Sequence, residues 1–247
     1  MVGFEGLTDI EIVVGIFDSL IVIISLIIGL KLISKYFSHK EIALVTVGLA
    51  MIFFSLGFTG GMVSFILYII FDTTLDRTIF LILASAFAPL ALICWIYSFC
   101  TLLYPRLTKI MVSIYIIISV IYEIFLFILI FTSPGSLGTF YGTYYFRPKP
   151  FPLIFYSFGV ATLLITGILF TKESFKSNDK RLRWRGKFLL LAFISITISM
   201  AIEGLIYLPA YGLALVRVIH IAGAFEYYMG FFLPEKVAKL LIKEELT

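Results

Sequence analysis

The stretch from Ile10 to Leu30, IEIVVGIFDSLIVIISLIIGL, is apolar on nearly every face of a helix, and runs like it recur along the chain. A helix rising 1.5 Å per residue needs about 20 such residues to cross about 30 Å of hydrocarbon. The sequence is 61% hydrophobic and 14% charged, with a mean hydropathy of +1.10. A water-soluble domain of 247 residues has too few polar side chains here to cover its surface. The expectation is an all-α integral membrane protein with seven spans, at about 10–34, 42–71, 78–104, 110–132, 153–171, 188–208 and 212–233. They form one seven-helix membrane domain over 1–234, and 235–247 is a tail. The first run is of spanning length and no Lys or Arg precedes it, so it reads as a span and not as a removable leader.

Basic residues set the orientation, because Lys- and Arg-rich loops stay on the cytoplasmic side. Lys31, Lys35 and Lys40 follow the first span, and Arg106 and Lys109 follow the third. After the fifth come Lys172, Lys176, Lys180, Arg181, Arg183, Arg185 and Lys187, and the tail adds Lys236, Lys239 and Lys243. Fifteen of the nineteen basic residues thus share one side, which predicts an outer N-terminus and a cytoplasmic C-terminus in the cell membrane. In the tail, Val237, Leu240 and Leu241 share a helical face, so PEKVAKLLIKEELT reads as a short amphipathic helix on the inner interface, or else as a frayed cytosolic end. The outer segment TFYGTYYFRPKPFP is crowded with aromatics and reads as a lid over the bundle mouth, or as an ordinary interfacial loop.

Polar residues inside spans should face other helices or a cavity. Helical spacing lines up Glu11, Gly15, Asp18, Ser25 and Gly29 in the first span. It does the same for Tyr115, Ser119 and Glu123 in the fourth, and for Ser195, Ser199, Glu203 and Tyr207 in the sixth. The third carries a small-residue stripe, Ala84, Ala88 and Ala91, that ends in Trp95 and Ser98. In the seventh, Arg217, His220 and Tyr227 share a face, and Glu226 points the other way. By helical rise, Asp18, Glu123 and His220 lie about 12–14 Å below the outer edge, and Glu203 and Arg217 about 8 Å below it. Each such charge costs on the order of 2.5–3.5 kcal/mol. Glu203 and Arg217 flank the turn between the last two spans and should pair, with His220 bonding to Asp18 or Glu123. The expected site is a ligand or proton pocket between spans one, four, six and seven, comprising Asp18, Glu123, Glu203, Arg217, His220 and Trp95. The plain alternative is that these charges only clamp helices together. The small-residue steps Gly57-x-x-x-Gly61 and Ala84-x-x-x-Ala88 should allow close helix packing inside the bundle, or in a homodimer.

Motifs of several seven-helix families are missing. No lysine lies between Lys187 and Lys236, which excludes a retinal Schiff base there, and helix three ends in CTLLYPR without the acidic-Arg-aromatic triplet of G-protein-coupled receptors. The sequence has no glutamine and so lacks the Pro-Gln signature of small sugar transporters. Two histidines are too few for a histidine-rich metal site, and no nucleophile–base motif occurs, so no catalytic residue, metal, cofactor or nucleic-acid partner is expected. The leading expectation is a receptor- or sensor-like protein that binds a small molecule or protons. Its output would be the basic segment Lys180, Arg181, Arg183, Trp184, Arg185 and Lys187, through a cytosolic protein or anionic lipid. That segment could equally serve topology alone. A proton-coupled transporter is the second expectation, opposed by the lack of visible broken helices. A ligand-free scaffold is the third.

Overall fold

The computed structural model describes residues 4–244, without the side chains of Lys243 and Glu244, so Met1–Gly3 and Glu245–Thr247 of the segments read above lie outside the described residues. Of the described residues, 82% are helical. In order come α1 (Asp9–Ser34), α2 (Tyr36–His39), α3 (Ile42–Leu56), α4 (Thr59–Phe71), α5 (Arg77–Ser85), α6 (Ala88–Leu103) and α7 (Thr108–Thr132). A hairpin of β1 (Gly138–Tyr141) and β2 (Tyr145–Pro148) follows, then α8 (Pro150–Phe175), α9 (Lys180–Leu205), α10 (Ala210–Phe231) and α11 (Glu235–Glu244). Among the described residues, five segments are long and apolar enough to cross a membrane, and the bent pair α3–α4, taken as one span, makes a sixth. Helix α10 sits where a seventh span was expected, but Arg217, His220 and Glu226 lower its apolarity.

The outward faces are hydrocarbon. On α7, Ile117, Ile121, Ile124 and Ile128 form an exposed stripe, while Ser119, Tyr122, Leu126 and Ile130 turn inward. The buried face of α1 contains the stripe read from the sequence, Glu11, Gly15, Asp18, Ser25 and Gly29, together with Val14, Ile21, Val22, Ile28 and Leu32. Helix α1 packs on α3, α4 and α10, α10 on α9, and α9 on α8, while α3 packs on α6 and α6 on α7. A lighter contact of α8 with α6 closes the ring. The short helix α11 packs on α9 through a face that buries Ala238, whereas Leu240 points outward.

Two expected spans are interrupted, which corrects the reading of continuous helices. Between α3 and α4 the axis bends by 50°. Here Ser55 Oγ donates to the Ile52 carbonyl (2.8 Å) and Thr59 Oγ1 to that of Leu56 (2.5 Å), local bonds that compete with helical ones beside Gly57, Gly60 and Gly61. The second break separates α5 from α6. Pro89 has no N–H, and its ring would strike the Ser85 carbonyl four residues back, so α5 ends at Ser85. The breaks lie side by side, because a Cβ at Gly57 would stand 3.5 Å from the Ala84 carbonyl oxygen. Tyr156 on α8 donates its hydroxyl to that same carbonyl at 3.0 Å, supplying a partner where the helical ladder is interrupted.

The aromatic segment is a β-hairpin, where a lid or an ordinary interfacial loop was expected. Its pairing runs from Gly138↔Pro148 to Tyr141↔Tyr145, and aromatic residues suit such a strand pair. Phe140 and Phe146 pack on Phe80 of α5, with ring centroids 5.1 and 5.6 Å away. Its turn is anchored by Glu11, whose residue is 1% exposed. One carboxylate oxygen of Glu11 accepts from the Thr8 backbone N–H (3.0 Å) and hydroxyl (2.8 Å), capping α1. The other accepts from the backbone N–H groups of Thr143 and Tyr144. The Tyr144 hydroxyl donates to the Glu11 carbonyl at 2.5 Å. Burial and the nearby Glu11 charge push the Tyr144 phenol well above its usual pKa, so it stays a donor. Gly142 holds φ +64°, and a Cβ there would meet the Glu11 carboxylate.

Glu11→Ala should therefore release the hairpin. The expected loss is about 3 kcal/mol, from stranded N–H groups at the α1 cap and the hairpin turn. It would be read as a lower Tm in detergent together with faster proteolysis within residues 137–149, and a variant that loses stability without any gain in hairpin cleavage would contradict the anchor.

Candidate functional site

A cavity of about 540 Å³ opens inside the half of the bundle that carries the hairpin. Its lining is mostly apolar and comes from α1, α3, α4, α5, α6, α8, α9, α10 and the hairpin. Helix α7 contributes none of the lining among the described residues, which corrects the expected set of spans one, four, six and seven. The floor is aromatic: Trp95, Phe193 and Tyr227 meet with ring centroids 5.1–6.2 Å apart. The Trp95 indole donates to Thr166 Oγ1 at 2.8 Å, which ties α6 to α8 and fixes the ring. Tyr144, Tyr145, Phe146, Arg147 and Pro148 form the roof. Between α8 and α9 the wall is thin. Ser157 and Ala161 on one helix, and Ala201 and Leu205 on the other, line the cavity and are exposed.

One wall holds an ion-pair triad. Arg217 of α10 donates from Nη1 to Asp18 Oδ1 of α1 at 2.7 Å, and from Nη2 to Glu203 Oε1 of α9 at 2.5 Å. The α9–α10 turn at 206–209 makes those helices antiparallel neighbours, which brings Glu203 opposite Arg217. Asp18 reaches the pair because Gly61 on α4 leaves room for its carboxylate, and a Cβ at that glycine would collide with it. The Arg217 guanidinium also lies over the Phe58 ring, 4.8 Å from its centroid. The Asp18 and Arg217 side chains are 6% and 5% exposed, against 26% for Glu203, so Glu203 is the member that faces open space. Two carboxylates on one guanidinium leave the triad with a formal charge of −1.

Asp18, Glu203, Arg217 and Trp95 thus come together around one cavity. His220 sits just behind it and bonds to neither Asp18 nor Glu123. Its Nδ1 lies 3.2 Å from Ser199 Oγ, and its ring is stacked on Phe54 (5.6 Å) and edge-on to Phe58 (5.3 Å). Arg217 already occupies Asp18, so the histidine has no carboxylate left to bond. Glu123 stands apart on α7, half-buried, with Oε2 lacking a hydrogen-bond partner among the described residues. Equal depth misled here: α7 lies outside α6, so residues at the same height are not neighbours. Tyr207 lies beyond the end of α9, exposed, under the Arg147 guanidinium. Glu226 faces away from the cavity and accepts from Ser195 Oγ at 2.9 Å.

The basic segment divides between two faces of α9. Arg181 Nη2 donates to the Leu233 carbonyl (3.2 Å) and Arg185 Nε to that of Gly230 (3.0 Å), satisfying the C-terminal end of α10. Lys180, Arg183, Trp184 and Lys187 turn the other way, toward a separate cleft. Among the described residues, no group of three or more His, Cys, Asp and Glu side chains could hold a metal. No family model matches the chain, and no curated protein and no solved structure matches it. The residue that sequence reasoning placed in a stripe but not in a role is Glu11, although Thr8-x-x-Glu11 is a visible capping-box pattern.

The triad predicts a non-additive mutational pattern. Arg217→Met alone strands the buried Asp18 carboxylate and the half-buried Glu203 and should cost about 3–5 kcal/mol. Adding Asp18→Asn and Glu203→Gln should restore most of that stability, as measured by thermal unfolding in detergent. If the three changes were simply additive, the groups would not be coupled as their distances indicate.

Proposed function

We propose that this chain is a receptor-like, seven-span protein of the cell membrane, one membrane domain over 1–234 with an outer N-terminus and a cytoplasmic tail, whose cavity takes a small lipophilic ligand. The observation that carries this reading is the roofed, mostly apolar cavity with the Asp18–Arg217–Glu203 triad in its wall. A scaffold needs the paired charges but not the empty volume. The hairpin covers the axial route, so the thin wall between α8 and α9 is the natural entrance, and a ligand arriving there comes from among the acyl chains. A polar group on that ligand would meet Glu203, the exposed end of the triad. Any shift of Glu203 relative to Arg217 moves α9 against α10, and α9 runs uninterrupted to the basic segment at its other end. A difference in ligand affinity between the two helix arrangements is all that such an output requires.

The transporter reading draws support from the two broken spans beside the cavity, since broken helices commonly frame substrate sites in transporters. Against it, the floor of Trp95, Phe193 and Tyr227 closes the cavity below, and Glu226, the next ionisable group toward the basic end, does not line it. The receptor reading is therefore preferred, and no enzymatic role is assigned.

Detergent-purified protein titrated with palmitic acid, hexadecylamine and hexadecanol tests the reading by thermal shift. At least one should raise Tm by several degrees in the parent protein. Ala201→Trp, which blocks the thin wall, should abolish or slow that shift, and Glu203→Gln should change which head group is preferred. Equal responses in parent and blocked protein, or no response to any of the three, would overturn the proposed cavity function.

A further inference from the structure

At the end of the bundle opposite the hairpin, Phe175 of α8 and Lys180, Arg183, Trp184 and Lys187 of α9 line a cleft of about 240 Å³. We infer that this cleft binds the phosphate head group of an anionic phospholipid. The inference rests on the reading that α8 and α9 span a bilayer, and is independent of whether the large cavity binds a ligand.

The division of labour along α9 carries the argument. If the basic segment served only orientation, its side chains would have no reason to converge. Arg181 and Arg185 are accounted for, because they close the carbonyl end of α10. Arg183 and Lys187 stand four residues apart on a different face, with Trp184 between them, and all three border one concavity together with Lys180. Lys187 Nζ lies 3.9 Å from the centre of the Trp184 ring, so the ring holds the ammonium beside the cleft. The Trp184 indole N–H is buried and has no hydrogen-bond partner among the described residues. A donor in that condition calls for an acceptor. Phosphate oxygens accept from indole, guanidinium and ammonium groups alike, and a guanidinium holds phosphate with particular directionality.

Two features favour a lipid over a soluble phosphate. The cleft is bordered by the Phe175 ring, which is 45% exposed, so one wall is greasy. Along the same two helices, away from the basic end, Ile168 and Leu191 are 49% and 47% exposed, which gives acyl chains a continuous apolar surface. The nearby acidic groups are engaged locally: Glu173 pairs with Lys176 at 2.6 Å, and Asp179 accepts the Arg181 backbone N–H at 2.8 Å.

The test uses the full chain in nanodiscs of phosphatidylcholine, with or without a fraction of phosphatidylglycerol. Trp184 emission is read in a Trp95→Phe background, and lipid retention is read by native mass spectrometry. Phosphatidylglycerol should change Trp184 emission and stay bound through delipidation. Arg183→Gln with Lys187→Gln should cut retention about tenfold, whereas Lys187→Arg should keep it. Lys236→Gln with Lys239→Gln, which removes equal charge from the tail, should leave retention intact. Three outcomes overturn the inference: equal losses in both double variants, an identical emission change with millimolar inorganic phosphate in neutral discs, or no response to phosphatidylglycerol at all.

Discussion

Placing a guanidinium inside an apolar bundle is costly, and the arrangement around Arg217 follows from how that cost is met. A buried charge needs counter-charges with good geometry and further hydrogen bonds, or it destabilises the fold by several kcal/mol. Arg217 obtains two carboxylates from two other helices and an aromatic face from a third element. The requirement propagates outward. α1 must bring Asp18 to the same height as Glu203, α4 must be bare at Gly61 to admit it, and α9 and α10 must turn tightly at 206–209 to stay in register. Helices that could otherwise slide along one another, since apolar faces have little preferred register, are held at one relative height. Hydrogen bonds between membrane helices average only about 0.6 kcal/mol, so the register comes from the penalty for breaking the triad more than from its net strength.

The same end of α1 carries a second buried carboxylate with a different task. Glu11 joins the α1 cap to the hairpin turn, and seven residues later Asp18 joins α1 to α10. Two helical turns separate them, so they sit on one face at two heights. The roof and the charged wall of the cavity are thus fixed to the same helix. The cavity between them exists because the neighbouring spans do not run straight. The 50° bend between α3 and α4 and the Pro89 break between α5 and α6 lie against each other, and α8 supplies Tyr156 to the opened backbone instead of filling the space with a larger apolar side chain.

Much of this was legible in the sequence, and the boundary of legibility is physical. Period and hydropathy located the long helices among the described residues, and the polar and glycine positions of the inward face of α1 were legible, because a membrane helix declares its buried face through the few polar groups it tolerates. The Glu203–Arg217 pair followed from the short turn that joins their helices. Lateral order did not follow. Helical rise gives height but not position around the ring, so Glu123 was grouped with Asp18 although α7 lies outside α6, and His220 was assigned a carboxylate that Arg217 already holds. The breaks were signalled by Gly57, Gly60, Gly61 and Pro89, but such residues also occur in straight membrane helices when neighbours satisfy the freed groups. The hairpin was hidden because two four-residue strands are too short for a clear alternation, and its stability comes from Glu11, more than 130 residues away in sequence.

The charge count of the triad ties the site to the rest of the molecule. With Asp18 and Glu203 both ionised, one negative charge is left over in a region of low dielectric, where it must be met by a proton, by a polar ligand or by a nearby cation. Arg147 is a second cation in the cavity lining. It lines the roof, and its guanidinium rests on Tyr207, 5.4 Å from the ring centre, just beyond the helix that carries Glu203. The hairpin therefore brings a positive charge to the cavity as well as its cover. Roof position and triad charge are coupled through α1 as well, since Glu11 holds the turn of the hairpin and Asp18 holds Arg217. A ligand that displaced the hairpin would remove that charge together with the aromatic roof. Such an event bears on α9, which carries Glu203 in the cavity wall and the basic segment at its other end.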